Sequence, residues 1–286
     1  MPSGMHLRRR VLLILTTVLA GCGSVSVGDE TDAAPGAAAD AAVDAGAEVD
    51  AEIDARAVDP GVVLLYDLEA PLIQDGDDLF VPDASGNDHR GAVTPGTIPG
   101  SVMVVSRADG SGNALMFPPP GCTVDCPRVN LVVEGSADLD PGGADFAVSL
   151  DLLVPEGSPG DENVAQKGFF DSDGGQWKIE VDAMLRPLCV FRYGPGVDDL
   201  INARVLRPIA DGEWHTLRCE RRGDLVEARL DAGDGEDTRS VPIPDGVTLA
   251  IDNPDSILVG GQAQGQTSDQ FYGILDNVKV EIAAPR

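Results

Sequence analysis

The chain has 286 residues, with 48 acidic against 20 basic side chains and a net charge of −28. That balance excludes direct binding to nucleic acid, whose phosphates need a basic face, and disfavours anionic lipid headgroups. It is compatible with cations or neutral polymers as ligands. With 34 glycines, 21 prolines and only 4% aromatics, the composition favours many short strands joined by turns over long helices.

Arg8, Arg9 and Arg10 precede a short apolar core, Val11–Ala20. A spanning helix needs roughly 20 apolar residues, so residues 1–21 read as a secretory signal rather than a membrane span. Leu19-Ala20-Gly21-Cys22 resembles the bacterial lipobox, which implies that Cys22 is lipidated and becomes the mature N-terminus. Gly23, in place of an inner-membrane-retaining Asp, implies the outer membrane or cell surface, with the anchor as the membrane contact. Residues 22–59 are rich in Ala and Asp and lack bulky apolar partners, so they read as a disordered, self-repelling acidic linker.

Beyond residue 59 the apolar runs are short and alternate, as half-buried strands require. Val62–Leu68, Asn113–Phe117, Val129–Val133 and Asp145–Val154 read as strands; in the last, Phe146, Val148, Leu150 and Leu152 share one face. Gln176–Asp182, Pro187–Tyr193, the two strands around Arg222-Gly223-Asp224, Asp255–Gly261 and Ile274–Ile282 continue the series. Asp, Gly, Asn and Pro clusters separate them, and neither an amphipathic helical stretch nor an internal repeat intervenes. The expected fold is all-β, an antiparallel two-sheet sandwich over residues 60–286.

With Cys22 assigned to lipid, four of the five cysteines remain, an even number in an oxidising compartment. Of the three connectivities open to them, the local one is expected: Cys122 with Cys126 and Cys189 with Cys219. A zinc site is the competing reading, but the second pair lacks zinc-ribbon spacing. His215 and Cys219 invite a metal or thiol interpretation. On a strand they stand about 13 Å apart at roughly 3.3 Å per residue, too far for one ion.

Several motifs stand in a telling order: LLYDLEA, the turn VPDASGNDHRGAV, GNALMF, FAVSLDLLVPEG, QWKIEVD, DGEWHTLRC, ILVGGQ and FYGILDNVKVEI. Together they resemble the laminin-G-like (concanavalin A-like) jelly roll over roughly residues 60–284. The resemblance implies a jelly-roll sandwich, and the 189–219 pair resembles the neighbouring-strand disulfide of some members. It also implies one structural calcium between the early turn and the last strand, with Asp83, Asn87 and Asp276 at the matching positions. Oxygen ligands suit such a hard cation; the alternative is an Asx-turn at Asp83 and a solvent-facing Asp276.

The fold does not fix the function. One hydrolase family on it carries E-x-D-x-E or E-x-D-x-x-E along one strand, so that alternating carboxylates meet at a cleft. Glu180 and Asp182 match the first two positions, but Met184 and Leu185 stand where the third carboxylate belongs. There is no G-x-S-x-G elbow and no Gln-x-His lyase strand, so the chain does not read as an enzyme. The expected function is a lipid-anchored binding module for carbohydrate or a surface protein. Trp177, Arg192 and Tyr193 are the expected ligand contacts, because rings stack on sugars and Arg supplies forked donors. The alternatives are an envelope or adhesion component without a small ligand, and a divergent glycoside hydrolase or lyase.

Overall fold

The structure is a computed structural model that describes residues 61–122, 124–262 and 269–284. Cys22, the signal segment and the acidic linker lie outside the described residues. The strands, in chain order, are β1 (Val62–Tyr66), β2 (Ile73–Asp75), β3 (Asp78–Val81), β4 (Gly91–Pro95), β5 (Met103–Ser106) and β6 (Asn113–Met116). Next come β7 (Val129–Val133), β8 (Phe146–Leu153), β9 (Glu162–Lys167), β10 (Gln176–Val181), β11 (Pro187–Arg192) and β12 (Leu200–Arg204). The last are β13 (Trp214–Arg222), β14 (Leu225–Asp231), β15 (Glu236–Pro242), β16 (Ile257–Val259) and β17 (Ile274–Ile282). A single 3-10 turn, Ala137–Leu139, is the one helical element among the described residues.

The strands form two sheets. The first runs β15-β14-β13-β8-β17-β6-β5, with β1 also paired to β17; the second runs β12-β11-β10-β9-β16-β7-β4-β3-β2. Every ladder between these strands is antiparallel, as in β8 with β13 and β10 with β11. Alternation decides which side chains enter the space between the sheets. Val148, Leu150 and Leu152 of β8 and Leu217 and Cys219 of β13 face it from the first sheet. Trp177, Ile179 and Val181 of β10 and Cys189 and Phe191 of β11 belong to the same core. Phe146 and Phe191 meet edge to face across it, their ring centroids 5.5 Å apart.

Cys122 pairs with Cys126 and Cys189 with Cys219. The second bond does not join neighbouring strands as expected. It crosses from β11 in the second sheet to β13 in the first. The reason is the face: Cys219 points into the core with Leu217, so its partner must come from the opposite sheet. Each cysteine has a small cross-strand neighbour on one side, Ala228 for Cys219 and Ala203 for Cys189, with Val148 and Ile179 on the other. The two alanines let the Cα atoms of the bonded pair approach to 5.6 Å, well inside the usual ~10 Å sheet separation.

Candidate functional site

The outer face of β10, β11 and β12 follows from the same parity. Once Trp177, Ile179 and Val181 point inward, Gln176, Lys178 and Glu180 must point out. Once Cys189 and Phe191 point inward, Leu188, Val190 and Arg192 point out. The register stacks these residues side by side: Gln176 opposite Arg192, Lys178 opposite Val190, and Val190 opposite Asn202. They line a cleft of about 230 Å³, to which Leu200, Gln262 and Phe170 also contribute. Leu188, Val190 and Leu200 make an aliphatic floor, and the amides and charges stand around it.

The neighbouring strand β9 is bulged. Ala165 pairs with Ile179 and Asn163 with Glu180, leaving Val164 as the extra residue. Both Val164 and Ala165 are core residues, while Asn163 Nδ2 donates to Gln166 Oε1 at 2.7 Å. Gln166 Nε2 and Gln176 Nε2 both donate to the Gly168 carbonyl, at 3.0 and 2.9 Å. Gly168 has φ of +80°, a left-handed turn conformation that glycine adopts without Cβ strain. The amides thereby fix the base of the hairpin turn that carries Phe170.

The cleft holds three charged side chains. Lys178 Nζ and Glu180 Oε1 form a close ion pair. Arg192 is only 2% exposed; its Nη2 donates to the Gly196 carbonyl at 2.7 Å. Its guanidinium lies over the Phe170 ring, 3.8 Å from the centroid, a favourable cation–π arrangement. Asp269 lies within electrostatic reach of the ion pair. Burial raises its carboxyl above the ordinary value, Lys178 pulls it down, and Glu180 and Asp161 push it up further.

Of the three side chains expected to touch ligand, Arg192 lines the cleft. Trp177 lies in the core at 2% exposure, and Tyr193 packs against the core from its edge. Adjacent strand residues face opposite ways, so Arg192 and Tyr193 cannot share a face. Lys178, Glu180, Val190, Asn202 and Phe170 were not singled out as ligand contacts from the sequence. The signal that finds four of them is parity counted strand by strand, from Trp177 and Ile179 on β10, Cys189 on β11, and Ile201 and Ala203 on β12. Phe170 lies in a turn, where no parity applies.

Glu180 and Asp182 do not converge. Strand β10 ends at Val181, and Asp182 turns away to hold the following turn. Its Oδ1 accepts from the amides of Met184 and Arg186 at 2.8 and 3.0 Å. Its Oδ2 pairs with Arg186 at 2.8 Å and Arg204 at 3.1 Å. His215 is buried, with Nε2 2.9 Å from Asp211 Oδ1, and Cys219 is disulfide-bonded, so neither is a free ligand or nucleophile.

The residues matched to a calcium site are committed elsewhere. Asp83 Oδ1 accepts from the amides of Leu65 and Ser85 at 3.0 and 2.9 Å. Its Oδ2 accepts from Ser85 Oγ at 2.7 Å and the His89 amide at 2.9 Å. Asn87 presents its Nδ2, not its oxygen, to the Val63 carbonyl at 3.1 Å. Asp276 is buried beside Arg107, whose Nη1 is 2.9 Å from it and 3.0 Å from Asp151. A guanidinium, stacked 4.0 Å from the Trp214 ring centroid, thus stands where Asp276 would meet a metal ion. This donor set does not fit calcium. Among the described residues no group of three or more His, Cys, Asp or Glu side chains is arranged to hold a metal.

Larger hollows of about 570 and 510 Å³ lie elsewhere. The first is walled by small residues such as Pro141, Gly143 and Ala283 together with the charged Asp145, Arg221 and Asp224, and Arg221 Nη1 donates to the Ala144 carbonyl at 3.3 Å. The second surrounds His89, whose Nε2 is 2.8 Å from Asp138. The β10–β12 cleft is smaller. Its distinction is a buried cation, Arg192, that forms no ion pair among the described residues.

No protein-family model matches the chain, and no curated protein matches it. Solved structures do. The sandwich is similar to domain 4 of AbnA, a GH43 extracellular arabinanase from Geobacillus stearothermophilus, in complex with arabinotriose. The identity is 14%, the match covers 79% of this chain and 94% of that one, and the TM-score is 0.53. It is also similar to botulinum neurotoxin type C, whose cell entry depends on interaction with two ganglioside molecules. There the identity is 9%, with 79% of this chain and 49% of that chain covered, at a TM-score of 0.51. The LG1-3 region of the laminin alpha2 chain matches at 11% identity over 53% of this chain and 29% of that one, with a TM-score of 0.44. At these identities the likeness is one of fold, and it agrees with the two antiparallel sheets. The described chain is a jelly-roll sandwich of two antiparallel sheets.

Proposed function

We propose that this domain is a carbohydrate-binding module, held outside the cytoplasm by a lipid on Cys22 and an acidic linker. The glycan lies on the outer face of β10–β12. The observation that carries this reading is the cleft itself: an aliphatic floor of Leu188, Val190 and Leu200 ringed by Gln176, Lys178, Glu180, Arg192, Asn202 and Gln262. Apolar floors accept the C–H faces of sugar rings, and amides and charges around them match hydroxyl groups. The arabinotriose held by the arabinanase domain and the gangliosides used by the neurotoxin are in keeping with a sugar ligand on this fold.

We read the module as a non-enzyme. Glu180 is tied to Lys178, and Asp182 holds a turn, so the paired carboxylates of a retaining hydrolase, about 5 Å apart across the substrate, are not assembled here.

A glycan array probed with the full-length chain, purified in detergent, tests the proposal. Binding to at least one polysaccharide, lost when Val190 is replaced by Glu, is expected. Absence of binding to every glycan would overturn it.

A further inference from the structure

Arg192 is the one charged group of the cleft whose surroundings leave its chemistry open. Its Nη2 has the Gly196 carbonyl, but its Nε and Nη1 are buried and have no hydrogen-bond partner among the described residues. It forms no ion pair among the described residues. The cation–π contact with Phe170 covers one face of the guanidinium plane; the N–H groups lie in that plane and are not answered by the ring.

A buried Nε without a partner recurs among the described residues at Arg107, Arg221 and Arg229, but Arg107 and Arg229 also hold carboxylates. Acid is abundant, with 48 Asp and Glu residues, and other arginines have found it. Arg107 holds Asp151 and Asp276, Arg186 holds Asp182, and Arg218 holds Glu220 and Glu281. Lys167, as buried as Arg192, has Asp140 at 2.9 Å and the Asp255 carbonyl at 2.8 Å. Taking a charge out of water without a counter-ion is expensive, and buried N–H groups without acceptors add to the cost. Lys178 and Glu180 pair with each other, so Arg192 is the one charged residue of the cleft lining that lacks an ion pair among the described residues.

We propose that the cleft takes an acidic saccharide, a uronate-containing glycan, whose carboxylate is received by Arg192. A carboxylate meets a guanidinium along an edge that Nη2 shares with either Nε or Nη1, so its two oxygens answer one of the nitrogens that lack acceptors together with the second N–H of Nη2. The sugar ring then lies toward Val190 and Leu200. Phe170, half exposed on its hairpin turn, supports the guanidinium from one face while the ligand meets its edge. This inference deepens the carbohydrate reading and rests on it.

The test uses the full-length wild-type protein in detergent with three probes: oligogalacturonate, oligoalginate and hyaluronan oligosaccharide. Each is compared by titration calorimetry with its carboxyl-reduced counterpart, and neutral arabinan oligosaccharide serves as a further probe. At least one acidic probe is expected to bind at least about tenfold more tightly than its reduced form. Arg192→Gln is expected to bring the acidic probe down to the level of the reduced one. Equal affinity for acidic and reduced forms, or binding confined to arabinan, would overturn the proposal and leave the carbohydrate reading standing. Failure of all probes together with a blank glycan array would remove both. Because the reduced-probe comparison uses unmodified protein, it decides the matter even if Arg192→Gln does not fold. Acidic preference that persists in a folded Arg192→Gln protein would also overturn the assignment.

Discussion

Cys189 and Cys219 join opposite sheets of the sandwich across a sequence separation of 30, with their Cα atoms 5.6 Å apart. Cys122 and Cys126, by contrast, close a separation of only 4. Longer loops lose more unfolded-state entropy when cross-linked. Chain-entropy reasoning puts the two bonds at about 3–4 and about 2 kcal/mol, respectively. Replacing both Cys189 and Cys219 by Ala should therefore lower the unfolding free energy more than the same change at Cys122 and Cys126. Denaturant unfolding of the two double variants checks this; an equal or reversed order would contradict it.

Arg107 stands between Asp151 and Asp276 at the outer surface of the first sheet. Its removal leaves two carboxylates facing each other, one of them buried. Arg107→Met should cost about 3–5 kcal/mol, the scale for breaking a buried pair from one side, and adding Asp276→Asn should recover part of it. Since Arg107 already supplies the positive charge there and Asp83 is held by its own turn, millimolar calcium should leave the melting temperature unchanged. A calcium-dependent rise of several degrees would contradict that expectation.

Two carboxylates should give opposite pH dependences. Burial tends to raise Asp182, but hydrogen bonds from the Arg186 side chain and from the Arg186 and Met184 amides outweigh it and hold its pKa below the ordinary 3.8. Its contribution is fully present above the unfolded value and is lost as pH falls through the lower, folded one. Asp182→Asn should thus destabilise the protein at neutral pH and converge with wild type in strong acid. Glu162 is raised above its ordinary 4.5 by burial, against hydrogen bonds from Ser158 and the Tyr272 and Gly160 amides. Its ionisation costs stability as pH rises from 4.5 through the folded value, so Glu162→Gln should gain on wild type above that window and not below it. Thermal melts across pH distinguish the two.

The Cys22 assignment is tested by location. Cys22→Ser should move the protein from the membrane fraction to the soluble fraction, and mass spectrometry of the wild-type N-terminus should find diacylglycerol on residue 22. A wild-type chain that is soluble without lipid would contradict the anchor.

Much of the sandwich is legible in the sequence, because strands such as FAVSLDLL alternate visibly between core and outside. Strand β9, ENVAQK, is not: it lies in the middle of its sheet, yet only Val164 and Ala165 are apolar. Its polar residues are buried through partners distant in sequence or set by the bulge, such as Asp140 and Asp255 for Lys167 and the Tyr272 amide for Glu162. No local pattern announces such contacts. The cleft was half legible. Parity from Cys189 places Arg192 outward and Tyr193 inward, whereas their aromatic or guanidinium character alone groups them together. The inter-sheet reach of the disulfide, and the capture of Asp276 by a residue 169 positions away, depend on the order of strands in the sheets.

The most direct test of the central claim is a backbone amide titration by NMR with a glycan that binds the array. The account predicts the largest shifts at Lys178, Val190, Arg192 and Asn202, on the outer face of β10–β12. Shifts concentrated instead at the Asp83–Arg90 turn or along β5, with the β10–β12 amides unmoved, would contradict it.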